Sequence, residues 1–325
     1  MGDAARRSET DGRRELVATR SGRVDAVLAA ALPDVSRARL QRLIANGHVL
    51  LNGEPVRKSV RVAAGDRLLV EIPPTEHQVT PVDFDLPVLF EDDLVLAIDK
   101  PDGLPVHGAP GEQGPTVAAW FVARFNLDLS AFDAEHPGVV HRLDKDTTGV
   151  LLLAKTPRAQ AALSSAFEQR TARKTYLAVC DGRPSRDRAV IDAPIARHPA
   201  DRTRMAVTRN GRPARTEYEV LAADSERSFL VVRPETGRTH QIRVHLAAIG
   251  VPVTFDRVYG TPGEGRQMLH AWQLSIPHPA GGVLTVTAPM PPDMQTVVRA
   301  IAGDSIALPY IAQVPAKHES EVGTS

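Results

Sequence analysis

The chain has 325 residues, 42% of them hydrophobic, which is enough to bury a sizeable core and predicts two domains rather than one. Its single cysteine, Cys180, excludes an intrachain disulfide and any thiolate zinc cluster, making a reducing compartment, the cytoplasm, the expected home. The 39 basic and 39 acidic residues cancel, no stretch approaches the roughly 18 apolar residues of a membrane helix, and the polar start lacks an export-type apolar segment, so neither insertion nor export is expected.

Residues 1–17 and 304–325 read as polar tails. Between them, Val24, Val27, Leu28 and Ala31 recur at i, i+3, i+4, i+7 and predict an amphipathic helix ended by Pro33. A second helix has Ser36 as N-cap, Leu40, Leu43 and Ile44 as its apolar stripe, and Asn46-Gly47 as a left-handed stop. Arg37, Arg39 and Arg42 remain on that helix for solvent or phosphate. His48 to Leu51, the turn pair Asn52-Gly53 and Val56 signal a hairpin, and Gly65-Asp66 turns into a strand over 68–72. Residues 18–73 thus form a small domain, and the proline-punctuated 74–87 reads as a linker.

The second domain, 88–303, opens with strands at 88–90 and 94–98 around the acidic turn Glu91-Asp92-Asp93. Further strands are predicted at 149–155, 174–180, 215–221 and 228–233, and helices at 115–125, 157–168 and 239–249, the last stopped by Gly250. Strands joined by irregular lengths predict an α+β fold, a mixed, largely antiparallel sheet preceded by the small N-terminal α/β domain. Charge is unevenly spread: residues 36–61 hold 6 basic and 1 acidic residues, 155–215 hold 14 and 5, and 76–136 hold 2 and 12. Two basic segments around an acidic one make either a phosphate-binding surface that the neutral sum conceals or ordinary solvated arginines.

Four segments carry candidate chemistry. Asp99 to His107 ends a strand in a Pro/Gly-rich loop of the kind that displays functional side chains. In His141-Arg142-Leu143-Asp144-Lys145-Asp146-Thr147-Thr148-Gly149, a carboxylate stands between two cations at the mouth of an apolar strand; Arg142 and Lys145 favour its charged form, which suits a nucleophile or an electrostatic stabiliser. In Lys174 to Val179, Lys174 and Tyr176 share one strand face. On a helix beginning near Thr239, His240 and Arg243 share a face, leaving Arg243 to pair with a carboxylate. The chain has no phosphate loop, no dinucleotide fingerprint, no nucleophile elbow and no H-E-x-x-H, and the spacing of its histidines matches no familiar ligand set, so no metal site is expected.

The segments "SRARLQRLIANGHVLLNGEPVRKS" and "VAAGDRLLVEIP" resemble the S4 RNA-binding domain over about residues 18–73. That resemblance assigns Arg37, Arg39, Arg42, Arg57 and Lys58 to RNA phosphates. From about Phe90 to Met294, "DKPDGLPVH", "HRLDKDTTGVLLLAKT", "KTYLAVCDG", "ETGRTHQIRVHLAAIGVPV" and "LHAWQLSIPHP" follow one another in the order of the RluA/RluD family of RNA pseudouridine synthases. The resemblance implies that Asp144 is the catalytic aspartate, Tyr176 the active-site tyrosine, Arg243 the partner of Asp144, and Leu269 a lining of the uridine pocket. It also puts His107, His141, Arg142, Leu143, Arg238, His240 and Gln241 on the substrate. The implied enzyme is a cofactor-free monomer that flips a uridine out of structured RNA, ribosomal in the branch with an S4 domain, and isomerises it.

Two departures stand out: Thr147-Thr148-Gly149 replaces T-S-G, keeping the hydroxyl, and Phe255 replaces the glycine of P-V-x-G-D-x-x-Y-G, which puts the local loop shape in question. Two other readings compete. One is a catalytically silent S4-type RNA-binding protein. The other is a hydrolase with Asp144 and Asp146 as paired carboxylates, a pair that would have to flank a sugar at roughly 5–9 Å, which i, i+2 neighbours rarely do.

Overall fold

The computed structural model describes residues 8–10, 12–32, 35, 37–57, 59–73, 79–108, 114–125, 132, 136–201, 203–303 and 317–319. They fall into two compact units, Met1–Thr80 with Phe125–Pro137, and Pro81–Arg124 with Gly138–Ser325.

The first unit runs β1 (Ser8–Thr10), β2 (Arg13–Val17), β3 (Gly22–Arg23), α1 (Val24–Ala31), α2 (Arg37–Ala45), β4 (Val49–Leu51), β5 (Glu54–Pro55), β6 (Arg61–Val62) and β7 (Arg67–Glu71). The predicted stripes meet: Val24 and Leu28 of α1 and Leu40 of α2 are fully buried with Val49 and Val70 of the sheet. The sheet order is β1-β2-β7-β4-β5, all antiparallel. Asn52 and Gly53 take φ of 51° and 92°, as a two-residue hairpin loop requires. Residues 13–17, expected in a polar tail, are instead a strand, Arg13 to Val17 pairing with Glu71 to Arg67. Leu16 alone of that strand is buried, so backbone pairing rather than an apolar pattern holds it. Pro33, Ser36 and Lys58 lie outside the described residues.

The second unit runs β8 (Val88–Glu91), β9 (Val95–Lys100), α3 (Val117–Phe125), β10 (Thr148–Ala154), α4 (Pro157–Glu168), β11 (Arg173–Asp181), β12 (Arg188–Asp192), β13 (Ile195–Arg197), β14 (Met205–Val207), β15 (Arg215–Ala223), β16 (Arg227–Pro234), α5 (Gln241–Ala248), β17 (Leu269–Pro277), β18 (Val283–Thr287), α6 (Pro292–Ala302) and β19 (Lys317–Glu319). β19 falls in the segment expected to be a tail and pairs with β18.

The main sheet has the order β12-β15-β16-β11-β17-β10-β9-β8, with β18 branching from β17. Among the described residues its one parallel pairing is β10 with β17, at Thr148 and Gly149 opposite His270 and Ala271. β10 is buried on both faces, as its run Val150-Leu151-Leu152-Leu153-Ala154 demands. β17 is a fork: its first residues lie between β11 and β10, its later ones between β11 and β18. The candidate chemistry gathers where β10 and β17 meet.

Candidate active site

Asp144 sits in the loop that leads into β10, and that loop is fastened on both sides. The Lys100 ammonium, with no exposed surface, donates to the carbonyls of Pro101, Leu104 and Lys145 at 2.8, 2.8 and 2.7 Å. Burial lowers its pKa to about 8 against the pull of Asp102, Asp146, Asp144 and Asp99. On the other side, Gln267 Nε2 donates to Thr147 Oγ1 and Thr148 Oγ1 bonds His270 Nδ1, both at 2.9 Å. Burial pushes His270 down to about 3, so its neutral ring donates Nε2–H to the Ala288 carbonyl and accepts from Thr148. Gly149 has φ +108°, and a Cβ there would overlap the Ala271 carbonyl. The substituted Thr148 thus uses the hydroxyl that T-S-G would supply.

Arg243, on α5, joins two carboxylates. Its Nη1 donates to Asp144 Oδ2 at 2.9 Å, while Nε and Nη2 donate to the two oxygens of Asp256 at 2.7 and 2.8 Å. Asp256 has no exposed surface and also accepts the backbone N–H of Val258 and Tyr259 at 2.9 and 3.1 Å. Burial opposes its charge, but the hydrogen bonds and charge of Arg243 and the two amides outweigh burial and lower its pKa. Burial likewise disfavours the Arg243 cation, and Asp256 and Asp144 together reverse that, raising its pKa. Asp144 keeps 20% of its side chain open.

Tyr176 stands at a slip in the ladder. Thr175 pairs with Gln273 but Leu177 pairs with His270, so β17 bulges opposite Tyr176, a device that re-aims a side chain. Burial, and then the negative charge of Asp144, raise its pKa, so the phenol stays protonated at neutral pH. Leu269 is buried on β17 opposite Ala178.

A cavity of about 500 Å³ contains Asp144, Tyr176 and Arg243, together with His141, Arg142, Leu143, Arg238, His240, Gln241 and Leu269 from the predicted set. That volume lies in the range of small-ligand clefts. His107 does not line it, and its Nε2 lies 3.5 Å from Arg142 Nη1. Asp146 is exposed and outside the lining, so it does not share a sugar with Asp144 there. Arg170, Lys174 and Arg212 complete a cationic lining with Arg142 and Arg238. Lys174 donates to the Thr236 carbonyl at 3.2 Å, and burial, with Arg170 nearby, lowers its pKa to about 8.

Two of the predicted contacts, His141 and Gln241, are engaged within the protein, and a third, His240, has a different backbone placement. His141 stacks on Phe167 with ring centroids 4.6 Å apart and accepts the Leu152 N–H at 2.9 Å; burial, then Lys174, push it to about 3, so it is a neutral strut. Gln241 is saturated: Oε1 accepts from Thr236 Oγ1 and Arg238 N, and Nε2 donates to Arg215 O and Thr216 Oγ1. It therefore shapes the 236–238 loop instead of reaching outward. His240 is not on the helix, as its spacing with Arg243 suggested: at φ +56° it is the left-handed residue before α5, which begins at Gln241.

Phe255 adopts φ +60°, the backbone a glycine would favour, and Cβ atoms at Gly263 or Gly265 would overlap its ring. The departure from glycine thus leaves the turn conformation in place and seats a ring against two small residues. The residue beside it, Asp256, and Tyr259 in the same motif were missed as site residues, although the motif letters contain both. In the first unit, Arg39 and Arg42 lie half-buried on α2, Arg57 is exposed, and Arg37 begins α2. Among the described residues no helix is long and apolar enough to cross a membrane.

Residues 94–248 match the RNA pseudouridylate synthase family and residues 22–68 the S4 domain. The chain is 42% identical over 295 residues to a ribosomal large subunit pseudouridine synthase D of Nitrosomonas europaea, covering 86% of this chain and 84% of the relative. It is 39% identical over 309 residues to a protein of the same name from Xanthomonas campestris, covering 90% and 92%. Among solved structures it resembles human RNA pseudouridylate synthase domain containing 4, with TM-score 0.53, 27% identity and coverage of 66% and 92%.

Proposed function

The chain belongs to the RNA pseudouridylate synthase family, an RNA-binding isomerase with an S4 domain, and from that premise we propose that it modifies uridines of large-subunit ribosomal RNA with Asp144 as nucleophile. The names of the Nitrosomonas and Xanthomonas relatives support the choice of RNA. The observation that carries the choice of nucleophile is Arg243 Nη1 at 2.9 Å from Asp144 Oδ2, in a cavity shared with Tyr176.

The chemistry needs few parts. An Asp144 oxygen attacks C1′ of the ribose as the N1–C1′ bond breaks, its electron pair staying on uracil N1. The base turns, C5 bonds to C1′ and displaces the carboxylate, C5 loses its proton and N1 gains one. Substrate and product are isomers, so the sequence balances without an oxidant or reductant. Arg243 orients the carboxylate through a charge-assisted hydrogen bond. Tyr176, a protonated phenol, offers a stacking face to the uracil. Entry of the base into the cavity requires flipping, at a cost of a few kcal/mol. The cationic lining is suited to the phosphates on either side.

Pseudouridine mapping of total RNA from cells with and without the gene tests this reading. Loss of specific large-subunit sites on deletion is expected; an unchanged large-subunit map with losses in another RNA would overturn the ribosomal assignment.

A further inference from the structure

His240 occupies a conformation its residue type resists. A left-handed backbone is sterically disfavoured for a residue with a Cβ, and glycine would relieve it at φ +56°. Its Nδ1 lies 2.9 Å from the Tyr259 hydroxyl, which also accepts the Met205 N–H at 2.7 Å. Among the described residues that leaves the Tyr259 proton one acceptor, His240 Nδ1. The Tyr259 ring is itself held, with the Arg204 and Arg243 guanidinium carbons 5.3 and 5.2 Å from its centroid. The Tyr259 amide bonds Asp256, which grips Arg243. The other histidine nitrogen, Nε2, makes no hydrogen bond among the described residues, although the side chain lines the Asp144 cavity.

We propose that Tyr259 is a positioning residue that fixes the tautomer of His240, so that Nε2 carries the proton and donates it to an acceptor oxygen of the nucleotide held beside Asp144. Burial supports a neutral imidazole by lowering the His240 pKa, against the attraction of Asp144 and Asp256 and together with repulsion from Arg243 and Arg142. A neutral ring with Nδ1 engaged as acceptor has one donor left. Strain at this residue then buys a fixed donor in the substrate cavity. The role in the reaction rests on the uridine reading of that cavity; the tautomer does not.

Nitrogen-15 spectra of the substrate-free full-length protein, with His240 assigned by His240→Gln, test the tautomer directly. A bare Nδ1 and a protonated Nε2 are expected, becoming a tautomer mixture in Tyr259→Phe, which keeps the ring between the two arginines. A protonated Nδ1 in the parent protein would overturn the assignment whatever the enzyme acts on. For the role, kcat/KM is measured on total RNA from cells lacking the gene. Tyr259→Phe should lower it roughly tenfold, as loss of one oriented hydrogen bond implies, and by less than about twofold in the His240→Gln background, where the amide keeps a donor near the Nε2 position. Equal losses in both backgrounds would reduce Tyr259 to a structural prop.

Discussion

Asp256 holds the Nε and Nη2 edge of Arg243 at 2.7 and 2.8 Å, so that Nη1 alone remains for Asp144. The two carboxylates are not equivalent. Asp256 is sealed and gripped by two backbone amides, whereas Asp144 faces the cavity. A planar fork fixed along one edge cannot turn, so the Asp256 turn determines where the remaining nitrogen meets Asp144.

Asp256→Asn is therefore expected to cost about 3 kcal/mol in urea unfolding at pH 7, because it breaks a buried ion pair. The hydrogen bonds and charge of Arg243 hold the folded pKa of Asp256 below that of an ordinary aspartate, so its contribution is present above the ordinary value and lost as pH falls through the folded one. The gap between parent and variant should accordingly close in acid. An unchanged unfolding midpoint at pH 7 would contradict the assignment.

Lys174, with its pKa lowered to about 8, carries charge below that pH and loses it above. RNA affinity should weaken between pH 7 and 9, and Lys174→Arg, whose charge persists, should flatten that dependence. Binding isotherms at constant salt decide it; an identical pH dependence in both proteins would remove Lys174 from the RNA contacts.

Gly149 and Gly250 separate close approach from backbone freedom. Both have positive φ, but a Cβ at Gly149 would overlap Ala271 whereas one at Gly250 meets nothing within 4 Å. Gly250→Ala should cost about 1 kcal/mol and leave kcat alone. Gly149→Ala should destabilise by more than that and lower kcat, since it pushes the Asp144 loop off β17. Equal effects of the two on stability and turnover would contradict the anchoring.

Replacing Arg37, Arg39 and Arg42 by alanine should weaken RNA binding and reduce the slope of log affinity against log salt by roughly 2 to 3. The slope, measured between low and physiological salt, is the readout. An unaltered slope would take these side chains off the phosphates.

The sequence disclosed its elements unevenly. α1, α2 and the Asn52-Gly53 hairpin were legible because local periodicity and turn chemistry decide them. β17 went unread as a strand: it has different neighbours along its two halves, so its burial does not alternate. β2 was lost in a charged segment with one buried residue, Leu16. The Asp144–Arg243 contact joins residues 99 apart, a distance no spacing argument spans, and only the resemblance of ordered motifs suggested it. Asp256 stands beside Phe255 in one motif, but its letter alone carries no sign of a bond to Arg243, 13 residues away. His240 was misplaced because helical spacing carries no sign of a left-handed start.

The proposed reaction stands on Asp144 as its nucleophile. It is tested most directly by assaying Asp144→Asn for pseudouridine formation on total RNA from cells lacking the gene, with RNA affinity measured in parallel. No pseudouridine and an affinity close to that of the parent are expected; turnover retained by the asparagine variant would remove Asp144 from the nucleophile role.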